Sequence, residues 1–473
     1  MSGTEYSLPG NVGILGIEFY FPRNYVSQTS LAKFMNVKPE KHTVGLGQDE
    51  MSFCGDNEDA NSLALTVTQR LLENYQIDPK KIGFMAVGTE SETDKSKSVK
   101  TYLMDLFAES GNFNIGGVDL KNACYGGTAA LEACITWVNT FQFKSKMAIA
   151  VMTDIAVYEE GPARPTGGAG AIAILIGTDA PVVFCRATGN DMRNNNDFCK
   201  PLKPVNTEYP TVNGQTSLQA YMGALDECYK TFKKDMRTYC NEEVTLDSFD
   251  SVAFHCPFAR LVEKAFGRLL LTDFIDGKFK VEEADLAKLE KYENTDLMDL
   301  HKYLTDRDFM SFWLKVIQKE WTSKTLNNLI FNKRIGNMYT PSLYAQLVAL
   351  FARLPDNFDQ HRVLLFSYGS GSASGMFAYT IKPGPSLNEM KRSANDALKR
   401  LDERFEVSPE DYFAILKTRE EILAKESPKE PSSEWHKKLK MFPGTYFLKH
   451  IDAQYVRSYG RYTEDSVIQN GHY

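Results

Sequence analysis

The chain has 473 residues, of which 43 % are hydrophobic and 24 % charged, ordinary values for a globular protein large enough for two domains or one large layered fold. Its net charge of −7 gives no electrostatic footprint for nucleic acid and obliges any anionic ligand to find a local basic patch. No apolar run reaches the roughly 20 residues of a membrane span, so no membrane association is expected. The first residues show no secretory or mitochondrial presequence pattern, and the last five match no simple address signal. The eight cysteines are scattered with no C-x-x-C pair, which excludes a structural zinc motif and a disulfide scaffold. A cytoplasmic protein with reduced thiols is the expectation.

Short β-rich runs alternate with helical ones, which predicts an α/β fold. A strand opens at 12–21, an amphipathic helix is predicted over 60–75, and a buried strand at 84–87 ends in Gly88-Thr89-Glu90. A strand-like run at 115–120 leads to Cys124 and a helix over 129–141, and a further strand at 147–152 leads to Asp154. The second half repeats the order. Ser251-Val252-Ala253-Phe254 leads to His255 and a helix around 261–266, so His255 is matched with Cys124. Each half closes with a strand, a glycine-rich loop (165–170 and 369–375) and another strand. The halves are expected at 1–185 and 186–473. A charged insertion at about 275–330 and a charged region at 391–440 read as solvated surface, the latter a helix and a mobile loop before a last strand at 445–451.

The chemistry begins at Asn122-Ala123-Cys124-Tyr125-Gly126-Gly127-Thr128. A cysteine at a helix start meets unpaired N–H groups and the positive end of the macrodipole, which favour thiolate. The adjoining glycines let backbone approach a ligand. Cys124, His255 and Glu90 all stand at strand ends, a set that suits either a papain-type protease or an acyl-thioester enzyme. The flanks are unlike the protease signatures.

They do resemble the eukaryotic 3-hydroxy-3-methylglutaryl-CoA synthases, thiolase-like condensing enzymes. The resemblance runs nearly full length. It is carried by Gly45-Leu46-Gly47-Gln48, residues 53–63, Val87-Gly88-Thr89-Glu90, residues 94–101, residues 122–130, residues 154–158 and 163–168, Phe254-His255-Cys256-Pro257, residues 336–342 and residues 366–371. It implies a layered αβαβα fold of two pseudo-duplicated halves, a homodimer, CoA thioesters as substrates and no metal or redox cofactor. It further implies that Cys124 takes the acetyl group and that Glu90 deprotonates the acetyl methyl. His255 holds and polarises acetoacetyl-CoA, and water releases the product. Lys41, Arg260 and Lys264 match positions that meet CoA phosphates. Thr166, Ser217, Asn337 and Ser370 match polar substrate contacts, and Asp154, Tyr158 and Gly371 support the site. The backbone N–H of Cys124 and one from Gly369-Ser370-Gly371 are the oxyanion donors that the resemblance implies. The chain departs from the family at Arg260, commonly lysine, at Pro162, commonly asparagine, and at Ser91-Glu92-Thr93, commonly apolar; Glu92 adds a carboxylate that either faces Glu90 or points to solvent. Other thiolase-like condensing enzymes lack the glutamate base, and a non-catalytic scaffold would have lost one of the three reactive residues.

Overall fold

The computed structural model describes residues 9–200, 208–292 and 295–463. Both terminal stretches scanned for targeting signals, residues 1–8 and 464–473, lie outside the described residues, as do 293–294 of the charged insertion. Nine strands form the central sheet: β1 (Gly13–Tyr20), β2 (Ile82–Gly88), β3 (Asp119–Leu120), β4 (Met147–Ala156), β5 (Gly168–Gly177), β6 (Val182–Met192), β7 (Ser251–Phe254), β8 (His361–Gly369) and β9 (Ala373–Ile381). The principal helices are α1 (Ala60–Asn74), α2 (Gly126–Thr140), α3 (Gly214–Cys240), α4 (Ala259–Ile275), α5 (Arg307–Val316), α6 (Tyr344–Arg353) and α7 (Pro385–Asp402).

The sheet order is β7-β8-β9-β6-β1-β5-β4-β2-β3. It divides between β6 and β1, which pair only at Gly13 with Val183 and Ile14 with Val182. On one side β1, β5 and β4 run antiparallel in turn, and β2 and β3 add in parallel. On the other, β6, β9 and β8 run antiparallel in turn, and β7 adds in parallel. The repetition expected from the sequence is therefore real, but its pairing differs. Strand β7 lies where β2 lies, so His255 corresponds to Glu90, not to Cys124. The Cys124 turn has its counterpart at 336–342, which leads into α6 as the Cys124 turn leads into α2. Both turns hold a left-handed residue, Ala123 at φ 45° and Tyr339 at φ 53°.

Helices α2 and α6 form the inner layer. Thr128 of α2 donates to Ser367 of β8 at 2.6 Å and shares a 2.8 Å hydrogen bond with Tyr344 of α6. Helices α1 and α7 cover the first half of the sheet, and α3 covers the second. The predicted helix 60–75 forms, capped by Asp59, which accepts from the Ser62 N–H. It is not amphipathic in the structure: Asn61, Ser62, Thr66 and Thr68 are buried along with its leucines. The C-terminal hairpin Tyr446–Ile451 with Arg457–Arg461 lies on its outer side, where the Tyr459 hydroxyl accepts from the Asn61 amide at 2.8 Å and donates to the Asp59 carboxylate at 2.9 Å.

Two readings of charge as solvated surface are corrected. The insertion buries Phe309, Trp313, Leu314 and Trp321 in the second core, beside Phe266 and Leu270. Trp313 donates to the Gly267 carbonyl at 2.8 Å. Region 391–440 contains three helices, ending α7 and then Pro409–Ala424 and Ser433–Lys438. Helix α7 is bound to β1 through Glu18, which is fully buried. Its carboxylate meets Arg400 at 3.3 Å, Arg70 at 3.2 Å, Asn74 at 2.7 Å and Ser393 at 2.9 Å.

Candidate active site

Strand β2 delivers Glu90, and the turn after β3 delivers Cys124. The Sγ of Cys124 lies 3.3 Å from Oε1 of Glu90. The turn is packed on its neighbours: a Cβ on Gly127 would lie 2.8 Å from the Met152 side chain at Cγ and 3.0 Å from the Thr340 carbonyl. A Cβ on Gly369 would lie 2.3 Å from the Asn122 carbonyl. Glycine is thus required for contact between the turn and its neighbours rather than for flexibility.

Asp154, buried at the end of β4, organises the floor. It accepts from the Glu90 N–H at 2.8 Å, the Ser91 hydroxyl at 2.8 Å, the Thr89 hydroxyl at 3.0 Å and the Thr340 N–H at 3.1 Å, and from the Thr340 hydroxyl. Lys200 was not signalled by any motif. Its Nζ lies 3.5 Å from Glu90 Oε2 and 3.3 Å from the Glu90 carbonyl, over the Tyr339 ring. Burial pushes Glu90 up to about 7, with Lys200 opposing and Asp154 adding to the rise. Burial, then the Glu90 charge, holds Cys124 well above the usual thiol range. The expected helix-stabilised thiolate is therefore overturned. A helix end contributes at most about 2 kcal/mol, and here burial and an adjacent carboxylate outweigh it. Glu92 turns away to Lys121, at 3.1 Å.

Around this pair stand the polar positions. Asn337 is buried, accepts from the Tyr339 N–H and the Ser342 hydroxyl at 2.9 Å each, and meets the Tyr158 hydroxyl at a long 3.5 Å. Its N–H donates to the Thr166 carbonyl at 3.1 Å, while the Thr166 hydroxyl is bound to the Ala163 carbonyl at 2.7 Å. Asp197, which sequence reasoning also missed, is 1 % exposed and joins three others. It accepts from the Ser217 hydroxyl at 2.9 Å, the Tyr368 hydroxyl at 3.1 Å and the Gly371 N–H at 3.0 Å. The Gly371 N–H is thus committed to Asp197, and the neighbouring Ser370 carbonyl holds the Asn122 amide at 3.2 Å. His255 is buried, and Tyr221 donates to its carbonyl at 2.8 Å. The Tyr221 ring contacts that of Tyr368, 5.2 Å between centroids. Burial alone pushes His255 down to about 3, so its ring is neutral at working pH.

The cations lie elsewhere. Arg260 and Lys264, one turn apart on α4, line a cavity of about 560 Å³ with Gly45, Leu304, Thr305, Arg307, Met310 and Ser311. Arg260 is ion-paired with Glu263. Burial and Arg260 pull the Lys264 ammonium below its usual range. Lys41 is exposed on the short helix Glu40–Thr43 and is not itself in the cavity wall; its carbonyl backs Gly45, which is. Arg307, from the insertion read as solvated, is an added cation. Among the described residues no cluster of three or more His, Cys, Asp or Glu could hold a metal, and no helix is long and apolar enough to cross a membrane.

Two family models match in succession: hydroxymethylglutaryl-coenzyme A synthase N terminal over residues 8–181 and C terminal over 182–462. The chain belongs to the hydroxymethylglutaryl-CoA synthase family. It is 43 % identical to a hydroxymethylglutaryl-CoA synthase of Caenorhabditis elegans, over 99 % of this chain and 98 % of that one. It is 40 % identical to the cytoplasmic enzyme of Gallus gallus, over 97 % of this chain and 88 % of the relative. It is 41 % identical to the mitochondrial enzyme of Bos taurus, over 96 % and 90 %. The solved structure of MvaS in complex with 3-hydroxy-3-methylglutaryl coenzyme A superposes with a TM-score of 0.78 at 27 % identity, covering 95 % of this chain and 99 % of that one. As a synthase of this family the chain is an acyltransferase with a thiolase-like fold.

Proposed function

We propose that this synthase condenses acetyl-CoA, acetoacetyl-CoA and water to hydroxymethylglutaryl-CoA and CoA through an acetyl-thioester on Cys124. The observation that carries the reading is the 3.3 Å contact between Cys124 Sγ and Glu90 Oε1 in a part-buried site. Glu90 accepts the thiol proton as sulfur attacks acetyl-CoA, then returns it to the departing CoA sulfur. The regenerated carboxylate takes a proton from the acetyl methyl, and the resulting carbon nucleophile attacks the C3 ketone of acetoacetyl-CoA. His255, neutral, donates a ring N–H to that ketone oxygen. The proton carried by Glu90 passes to the new alkoxide. Water then cleaves the thioester, which restores the thiol and frees the product. The N–H groups of Cys124 and Ser370 are the oxyanion donors in this scheme. Thr166, Ser217, Asn337 and Ser370 orient the acyl groups. Arg260, Lys264 and Lys41 meet CoA phosphates, a role favoured by the cation-lined cavity. The scheme uses no metal or redox cofactor, since the thioester itself acidifies the methyl.

Mass spectrometry after incubation with acetyl-CoA tests it. An acetyl adduct on Cys124, chased by acetoacetyl-CoA to hydroxymethylglutaryl-CoA, is expected. An adduct on another residue, or none, overturns it.

The proposal extends to a homodimer built on the β3 edge, where Phe113 and Val118 are 68 % and 62 % exposed. Interfaces of obligate dimers bury more than about 2,000 Å². Light scattering is expected to report a dimer at micromolar concentration, dissociated by Val118→Asp with Phe113→Asp; a fully active monomer contradicts it. It also assigns the reaction to the cytoplasm and to mevalonate-dependent isoprenoid and sterol synthesis. Cytoplasmic and mitochondrial relatives are equally similar, so subcellular fractionation is the test.

A further inference from the structure

Glu90 has two oxygens in different company. Oε1 faces the Cys124 sulfur at 3.3 Å, and Oε2 faces the Lys200 ammonium at 3.5 Å. Oε2 is buried and has no hydrogen-bond partner, and among the described residues the Lys200 ammonium is the one cation ion-paired with it. The ammonium has its own anchors. It donates to the Glu90 carbonyl at 3.3 Å and stands 4.5 Å above the Tyr339 ring. Those contacts do not depend on the charge of the carboxylate, so Lys200 keeps its place when Glu90 is protonated in mid-cycle. The other titratable groups facing Glu90 are Asp154, which takes the Glu90 N–H, the thiol of Cys124, and the phenols of Tyr158 and Tyr339. None of these is a cation. Burial and a second acid both favour the neutral form of Glu90, and Lys200 opposes them.

We propose that Lys200 is a positioning residue for the condensation base: it claims Oε2 of Glu90, aims Oε1 at the reacting centre beside sulfur, and holds the charge of the carboxylate. This rests on the reading of Glu90 as that base. It also gives a task to the short hairpin formed by Phe198–Cys199 and Thr211–Val212, which carries Lys200 and Asp197 to the site.

The test is single-turnover condensation from preformed acetyl-enzyme as a function of pH, where sulfur is acylated and cannot titrate. Wild type, Lys200→Met, Lys200→Arg and Glu90→Gln are compared. Lys200→Met is expected to shift the acidic limb upward by about one pH unit or more. That is a loss of about fivefold or more near pH 7, recovered at alkaline pH, with little change in KM for acetoacetyl-CoA. Lys200→Arg is expected to return the limb to its wild-type position. A limb unmoved in Lys200→Met, or one as far displaced in Lys200→Arg, overturns the proposal. A purely structural defect lowers the rate at every pH and counts against it. If Lys200→Met does not fold by circular dichroism, Lys200→Gln takes its place. Condensation retained in Glu90→Gln defeats the reading of the base itself. Glu90→Gln inactive with an unmoved Lys200→Met limb defeats only the present inference.

Discussion

A thiol and a carboxylate 3.3 Å apart in a part-buried pocket do not readily carry charge together. One proton is shared out between them, and burial places it on sulfur until a substrate arrives. This makes Glu90 the proton acceptor for both halves of the cycle, though the demands differ. A thiol deprived of Glu90 loses the negative neighbour that raises its pKa, and can still ionise to solvent as pH rises. A methyl group cannot. Glu90→Ala is therefore expected to form the Cys124 acetyl adduct, best at alkaline pH, while synthesis falls by roughly 10²–10⁴-fold. Separate assays of adduct and product check this; equal loss of both steps contradicts it. With Glu90 pushed up to about 7, it is the acid form that predominates below that pH, so wild-type condensation should fall about tenfold per pH unit there. His255, neutral down to about 3, adds no second limb in that range. Glu92 is paired with Lys121, so Glu92→Gln is expected to leave the limb where it is. A displaced limb would mean that Glu92 reaches Glu90 in solution.

At the scale of elements, the site depends on close approach of loops from both halves. Gly369→Ala drives a Cβ to 2.3 Å from the Asn122 carbonyl and 2.5 Å from the Tyr125 nitrogen. Backbone cannot yield there as a side-chain tip would. A cost of about 1–3 kcal/mol is expected in denaturant titration, with loss of Cys124 acetylation at temperatures where the variant is still folded. Acetylation at the wild-type rate would show that the loop does not press on the nucleophile's turn. Such contacts explain what could be read from the chain. Strands 12–21 and 84–87 and the helix 60–75 announce themselves by apolar runs and caps, and they form within two residues of the expected bounds. The Cys124 and His255 turns were visible as reactive residues beside glycine or proline. Their topological pairing was not, because β2, β3 and β7 are alike as sequence and only hydrogen bonding distinguishes their places in the sheet. Asp197 and Lys200 escaped notice for a related reason. Each is a common charged residue in a polar stretch, and what singles it out is a partner far along the chain: Gly371 for Asp197 and Glu90 for Lys200. The insertion misled by composition, since its charges flank the aromatic residues that it buries.

At the scale of the molecule, the first strand is secured by the last quarter of the chain. Glu18 has no exposure and lies between Arg70 and Arg400. Glu18→Leu leaves two guanidinium groups that share the half-exposed Asp396 and have lost their buried counter-charge. A cost of about 3–5 kcal/mol is expected, measured by urea titration. A change below about 1 kcal/mol would show that Asp396 and solvent suffice for both arginines. The same arrangement has a consequence for synthesis on the ribosome. Glu18 and Arg400 are 382 residues apart in sequence. At about 5–20 residues per second, the strand that carries Glu18 has Arg70 within seconds but waits on the order of tens of seconds for Arg400, the second of its two counter-ions. During that wait β1 offers an acid at its centre and a bare apolar face to whatever is near. The nascent first half is thus a natural client for a chaperone, and the last turn of α7 is the point in translation at which that need ends.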